Sequence, residues 1–219
     1  VFRMRPLLWP GCLLLLFAGT LRAAVYDREE APLGDRVAAF RLFVPDAVSA
    51  LRAVIVLVPG FDGDGRGMAG DAEWRAFATR NNAALLACFF KGNDYYLAGR
   101  WTGPALLKNL REFATQNAHP ELAEAPLAFW GHSAGGQFNY NFACGRPGRV
   151  VAFVVNKGAY YGSPPNVRVR GVPALWIAGG DDTDERIDNI TGLYAESRRL
   201  GALWELVIGP DTAHGVGRS

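Results

Sequence analysis

The segment Phe129-Trp130-Gly131-His132-Ser133-Ala134-Gly135-Gly136 sets a serine between two glycines, G-x-S-x-G, where an apolar strand gives way to a helix. Leu127 to Trp130 reads as the strand. Ala134 to Cys144 reads as the helix, closed by Gly145 and Pro147. A serine hydroxyl attacks poorly unless a base takes its proton and nearby donors hold the oxyanion that attack creates. A sharp strand-to-helix turn serves both needs, because it projects the hydroxyl of Ser133 and aims the following amide, Ala134, at the oxyanion. Residues 131 and 135 must be small, since a side chain there would crowd the neighbouring strand or helix, and Gly136 allows close approach of helix and sheet.

On either side of this segment, short apolar runs alternate with longer amphipathic ones, the rhythm of βα units around a mostly parallel sheet. Arg36 to Val44, Ala53 to Val58, Ala84 to Phe90, Val150 to Val155, Ala174 to Ala178 and Leu203 to Ile208 read as strands. Ala53 to Val58 is continuously apolar, as a strand covered on both faces must be. Asp71 to Asn81 reads as a helix with Trp74, Phe77 and Ala78 on one face. Thr102 to Ala118 is a second, with Thr102 as cap, Pro104 in the first turn, and Leu106, Leu107, Leu110 and Phe113 at helical spacing. A third runs from Glu185 to Leu200, striped by Ile187, Ile190, Leu193, Tyr194, Ser197 and Leu200 and stopped by Gly201.

The 219 residues suffice for one domain, and 23 Lys+Arg against 21 Asp+Glu imply neither nucleic acid nor a strongly acidic partner. Residues 1–23 depart from the rest: Arg3 and Arg5 precede the apolar run Leu13 to Ala18, with Ala23 and Ala24 behind it. That order is a signal peptide cleaved after Ala23, too short to span a bilayer, so a secreted or periplasmic protein without a stable membrane span is expected. Cleavage leaves residues 24–219 nearly neutral, with 20 basic against 21 acidic residues. Cys88 and Cys144 remain; an oxidising compartment permits a disulfide, while their places in a strand-like and a helix-like run suit buried free thiols.

Gly131-His132-Ser133-Ala134-Gly135-Gly136 resembles the nucleophile motif of the α/β-hydrolase superfamily, and the resemblance extends over roughly residues 36 to 219. In size, leader and layout the chain is similar to compact secreted esterases of the polyhydroxybutyrate-depolymerase and feruloyl-esterase type. The resemblance implies the α/β-hydrolase fold, a mostly parallel central sheet flanked by helices on both faces. It implies the chain order Ser, then Asp or Glu, then His. It also implies an element after the catalytic histidine, so the end at Ser219 implies a truncated C-terminus.

With three histidines in the chain, His214 is the candidate base. His119 precedes the serine, and His132 sits in the elbow, with its side chain expected to turn away from Ser133. The acid belongs after the strand Ala174 to Ala178, in Gly179-Gly180-Asp181-Asp182-Thr183-Asp184-Glu185. By the resemblance it is Asp182, three residues beyond the first glycine; Asp181 and Asp184 compete, and at least one of these carboxylates caps the following helix. The resemblance also assigns the second oxyanion donor to the amide of Phe61 in Pro59-Gly60-Phe61-Asp62. Pro59 stands where relatives carry histidine, so the hydrogen bonding of this loop must differ, and Asp62 is the alternative donor.

Asp62, Asp64, Gly67 and Glu73 fall on an EF-hand spacing, but Arg66 occupies a ligand position and a strand precedes the loop, so no metal is expected. Tyr95, Tyr96, Trp101 and Tyr160, on loops at the carboxyl ends of strands, are candidates for the substrate pocket. Lys157 reads as a solvated loop lysine. The expectation is a cofactor-free serine hydrolase acting on a small-molecule or polymeric ester through an acyl-enzyme. Acyl transfer or peptide cleavage by the same groups, or a catalytically silent hydrolase-like binding protein, are the alternatives.

Overall fold

Ala53 to Val58 alternates its apolar side chains between two cores. Val54, Val56 and Val58 enter the larger one, while Ile55 and Leu57 enter the smaller. Ala83 to Phe90 does the same, with Leu86, Cys88 and Phe90 on one face and Leu85 and Ala87 on the other. These continuously apolar runs are therefore strands sandwiched between layers. A computed structural model describes residues 24–29, 37–46, 48–92, 95 and 98–215. The expected leader, residues 1–23, lies outside the described residues, as do Arg36 and Tyr96.

The strands are β1 (Ala24–Glu29), β2 (Ala38–Val44), β3 (Ala53–Val58), β4 (Ala83–Phe90), β5 (Leu127–His132), β6 (Val150–Asn156), β7 (Ala174–Gly179) and β8 (Trp204–Gly209). They form one sheet in the order β1-β2-β4-β3-β5-β6-β7-β8. β1 pairs antiparallel with β2, β2 antiparallel with β4, and every later pair is parallel. Parallel strands bring their carboxyl ends to one edge of the sheet, where ligands bind in open α/β folds.

The helices are α1 (Ala72–Arg80), α2 (Thr102–Gln116), α3 (Ala134–Gly145), α4 (Val167–Arg170) and α5 (Asp184–Arg199). On the smaller core, α1 contributes Ala78 and Trp74, and the Asp71 carboxylate caps it by accepting from Glu73 N and Trp74 N, each at 2.9 Å. Phe77 departs from the expected buried face and is exposed. On the larger core, Leu106, Leu107, Leu110 and Phe113 of α2 and Ile190 of α5 are buried. Trp101, not Thr102, takes the N-cap position of α2, so Thr102 is the first helical residue.

α3 is buried from Ala134 to Cys144. Asn139 offsets the cost of burying its amide by donating to Val154 O at 2.9 Å. Tyr140 of α3, Phe153, Trp176 and Trp204 pack edge to face. Cys88 and Cys144 are both free and buried, and burial pushes the Cys144 thiol up to about 11. Among the described residues, no helix is long and apolar enough to cross a membrane.

Candidate active site

β5 runs two residues past its expected end, to His132, and the chain turns at Ser133 with φ 52° and ψ −119°. Such a conformation is strained for a residue with a Cβ, by roughly 1–3 kcal/mol, and persists where the surroundings enforce it. The enforcement is visible. Ser133 N donates to Asn156 O at 2.8 Å, and Gln137 N donates to Ser133 O at 3.1 Å. Glycine at 135 lets α3 abut the end of β3, since a Cβ there would lie 2.1 Å from Val58 O. The Ala134 amide, first in α3, has no partner in the helix ladder.

His214 lies in the loop after β8, its Nε2 2.9 Å from Ser133 Oγ and its Nδ1 2.9 Å from Asp182 Oδ2. A carboxylate can only accept, so Nδ1 carries the hydrogen and Nε2 is left to accept from the serine hydroxyl. Burial alone would raise the Asp182 carboxyl. The His214 and Thr183 hydrogen bonds, with the charge of Arg186, outweigh burial and hold it below the ordinary carboxylate range. Asp182 Oδ1 also accepts from Thr183 N at 2.9 Å, while Thr183, the N-cap residue of α5, makes no side-chain cap hydrogen bond. Asp181 and Asp184 are exposed, the latter in the first turn of α5.

The loop carrying His214 is held from below by two residues whose roles differ from expectation. Lys157 is not solvated: it is 3% exposed, and its Nζ donates to Ala213 O at 2.5 Å and Gly215 O at 2.6 Å. His132 donates from Nε2 to His214 O at 2.7 Å, and the two imidazole rings lie 5.2 Å apart. Burial lowers the His132 pKa, keeping the ring neutral.

The loop after β3 turns at Gly60, whose carbonyl accepts from Gly63 N at 3.1 Å. Gly60 packs against the serine, since a Cβ there would sit 3.7 Å from Ser133 Cβ. Asp62 takes φ 53° and accepts from Gly92 N at 3.0 Å, which ties its side chain to the next strand end. Asp64 pairs with Arg66 at 2.6 Å. Asp62 and Asp64 are thus engaged by the protein, and among the described residues no group of three or more His, Cys, Asp or Glu could hold a metal.

Ser133 and Ala134 open into a cleft of about 480 Å³, walled by Phe61, Tyr95 and Tyr160. Trp101 does not reach it and packs against the larger core. The sequence reading missed Gln137, Tyr161 and Arg186, which also line the cleft. Tyr161 had a signal, its adjacency to Tyr160. Arg186 had a weaker one, a cation one helical turn after the acidic cluster.

No protein-family model matches the sequence, and no curated protein matches it. Solved structures do match in shape. A thermostable esterase superposes with a TM-score of 0.66 at 16% identity over 86% of this chain, which spans 55% of that protein's length. A ferulic acid esterase gives 0.65 at 13% identity, covering 89% of this chain and 92% of that one. The poly(3-hydroxybutyrate) depolymerase LpqC from Bordetella parapertussis gives 0.60 at 18% identity, covering 88% and 86%. Eight strands in the order found, antiparallel at one edge and parallel beyond it, with helices on both faces and a serine at the turn after β5, make this the α/β-hydrolase fold.

Proposed function

We propose that the protein is a serine hydrolase that cleaves a carboxylic ester through an acyl-enzyme. The observation that carries this is the unbroken hydrogen-bond chain Ser133–His214–Asp182, with both links at 2.9 Å, opening into the cleft. His214 Nε2 takes the hydroxyl proton as Ser133 Oγ attacks the ester carbonyl, and Asp182 stabilises the imidazolium. The Ala134 and Phe61 amides hold the oxyanion. Loss of one such donor costs about 3 kcal/mol of transition-state stabilisation. The C–O bond breaks, the alcohol leaves with the proton from His214, and water activated by the same imidazole releases the acid and restores Ser133. Protein groups and water suffice for every step.

The placement is secreted or periplasmic. Residues 1–23 have the order of charge, apolar core and small residues of a leader cleaved after Ala23. The test is hydrolysis of p-nitrophenyl butyrate by purified protein. Release of p-nitrophenol and butyrate that vanishes in Ser133→Ala supports the assignment. Equal release by wild type and S133A, or none by either, overturns it.

A further inference from the structure

The cleft contains one formally charged side chain among its described lining residues, and beyond lending its charge to Asp182 it takes no part in the acyl-transfer steps. Arg186 stands in the first turn of α5 with its guanidinium carbon over the Tyr160 ring, 5.3 Å from the centroid, a cation–π contact. Its nearest anion is Asp182, but Nε lies 3.9 Å from Oδ1, beyond hydrogen-bond reach. The Asp182 oxygens are already taken by His214 Nδ1 and Thr183 N. Among the described residues no acceptor takes a hydrogen bond from the Arg186 side chain, which is 23% exposed. A planar cation with five donors therefore faces the space that contains the nucleophile.

The rest of the wall is aromatic and uncharged. Tyr95 is buried and burial pushes its hydroxyl up, so it stays neutral. The Tyr161 hydroxyl is spent on Gly158 O. The other nearby cation, Lys157, is spent on the His214 loop. Asp184 and Glu185, the acidic neighbours of Arg186 on α5, are exposed and do not line the cleft. An aromatic cleft with one guanidinium free of hydrogen-bond acceptors matches a flat, bidentate anion on an otherwise apolar molecule, and a carboxylate fits that fork.

We propose that Arg186 recognises an ionised carboxylate and that the substrate is an ester bearing such a group, either a hemiester of a dicarboxylic acid or an ester of a carboxylated alcohol. This rests on the assignment of Ser133 as the nucleophile of an ester hydrolase.

The experiment compares matched esters on wild type, Arg186→Gln and Arg186→Lys. One pair places the charge on the acyl side, p-nitrophenyl hydrogen adipate against p-nitrophenyl hexanoate. The other places it on the alcohol side, 4-acetoxybenzoate against its methyl ester. The expected wild-type ratio of kcat/KM, charged over neutral, is roughly tenfold or more in at least one pair, carried mainly by KM and reduced by added NaCl. R186Q brings that ratio to about one, and R186K keeps an intermediate value.

A wild-type ratio at or below one in both pairs overturns the proposal without any variant. So does an R186Q that slows both members of a pair by the same factor, since that is the signature of a group acting only through Asp182. If wild type hydrolyses none of the four esters and a fluorophosphonate leaves Ser133 unlabelled, the assignment beneath the proposal falls and takes the proposal with it. Labelling without any charge preference removes the proposal alone.

Discussion

His132 Nε2 donates to the carbonyl oxygen of His214, so the residue that precedes Ser133 fixes the backbone of the histidine bonded to its hydroxyl. Lys157 closes the same loop from the end of β6, through the carbonyls on either side of His214. A histidine on a loop is placed precisely only if that loop is anchored, and here three hydrogen bonds from two residues anchor it.

Replacing His132 by alanine frees the His214 carbonyl. The expected result is a roughly fivefold fall in kcat, on the scale of about 1 kcal/mol for a net hydrogen bond, with KM nearly unchanged. His132→Gln, which keeps an N–H donor, retains most of the rate. Steady-state kinetics on a neutral p-nitrophenyl ester measures both.

The same residue contributes to the pH dependence of stability. Burial lowers the His132 pKa from its ordinary 6.5, so as pH falls below 6.5 the unfolded chain takes a proton that the native ring refuses. Stability from this group is complete above pH 6.5 and declines as pH falls toward the folded pKa. Urea unfolding at pH 7.5 and 5.5 should show wild type losing more stability than H132Q; equal losses would contradict the assignment.

Lys157→Met removes two charge-assisted hydrogen bonds and leaves two carbonyls unpaired. The expected outcome is a fall in kcat of roughly tenfold to a hundredfold and a melting temperature lower by several degrees, read by kinetics and by thermal unfolding. A surface lysine would give neither.

Much of this arrangement was legible in the residues, for stated physical reasons. The doubly covered strand β3 declared itself because both faces are apolar, and the elbow because only glycine fits where α3 abuts β3. β1 escaped notice: Ala24–Glu29 exposes every second residue, carries Asp27, Arg28 and Glu29, and is held by pairing with β2 and by contacts of Tyr26 and Arg28 with α2, which local sequence does not announce. Lys157 escaped because nothing local to a loop lysine announces that a later loop will bury it. Trp101 was misplaced because an aromatic near a strand end can serve the core or the cleft, and tertiary packing decides.

Among the acidic residues after β7, Asp182 alone contacts His214. Asp182→Asn is expected to cut kcat by about 10⁴-fold, because the amide favours the wrong imidazole tautomer. Asp181→Asn and Asp184→Asn should stay within about threefold of wild type, as expected for exposed residues outside the hydrogen-bond chain.

Gly135→Ala would force a Cβ to within 2.1 Å of Val58 O, where backbone, not a flexible side chain, must yield. A loss of roughly 1–3 kcal/mol or more in urea unfolding is expected, together with loss of activity as the elbow shifts.

On the proposed mechanism, His214 makes Ser133 nucleophilic by taking its hydroxyl proton. Intact-mass and peptide mapping after exposure to a fluorophosphonate tests it most directly. One adduct on Ser133 is predicted in wild type, much slower labelling in His214→Ala, and none in S133A. An adduct elsewhere, or a rate of Ser133 labelling indifferent to His214, would contradict it.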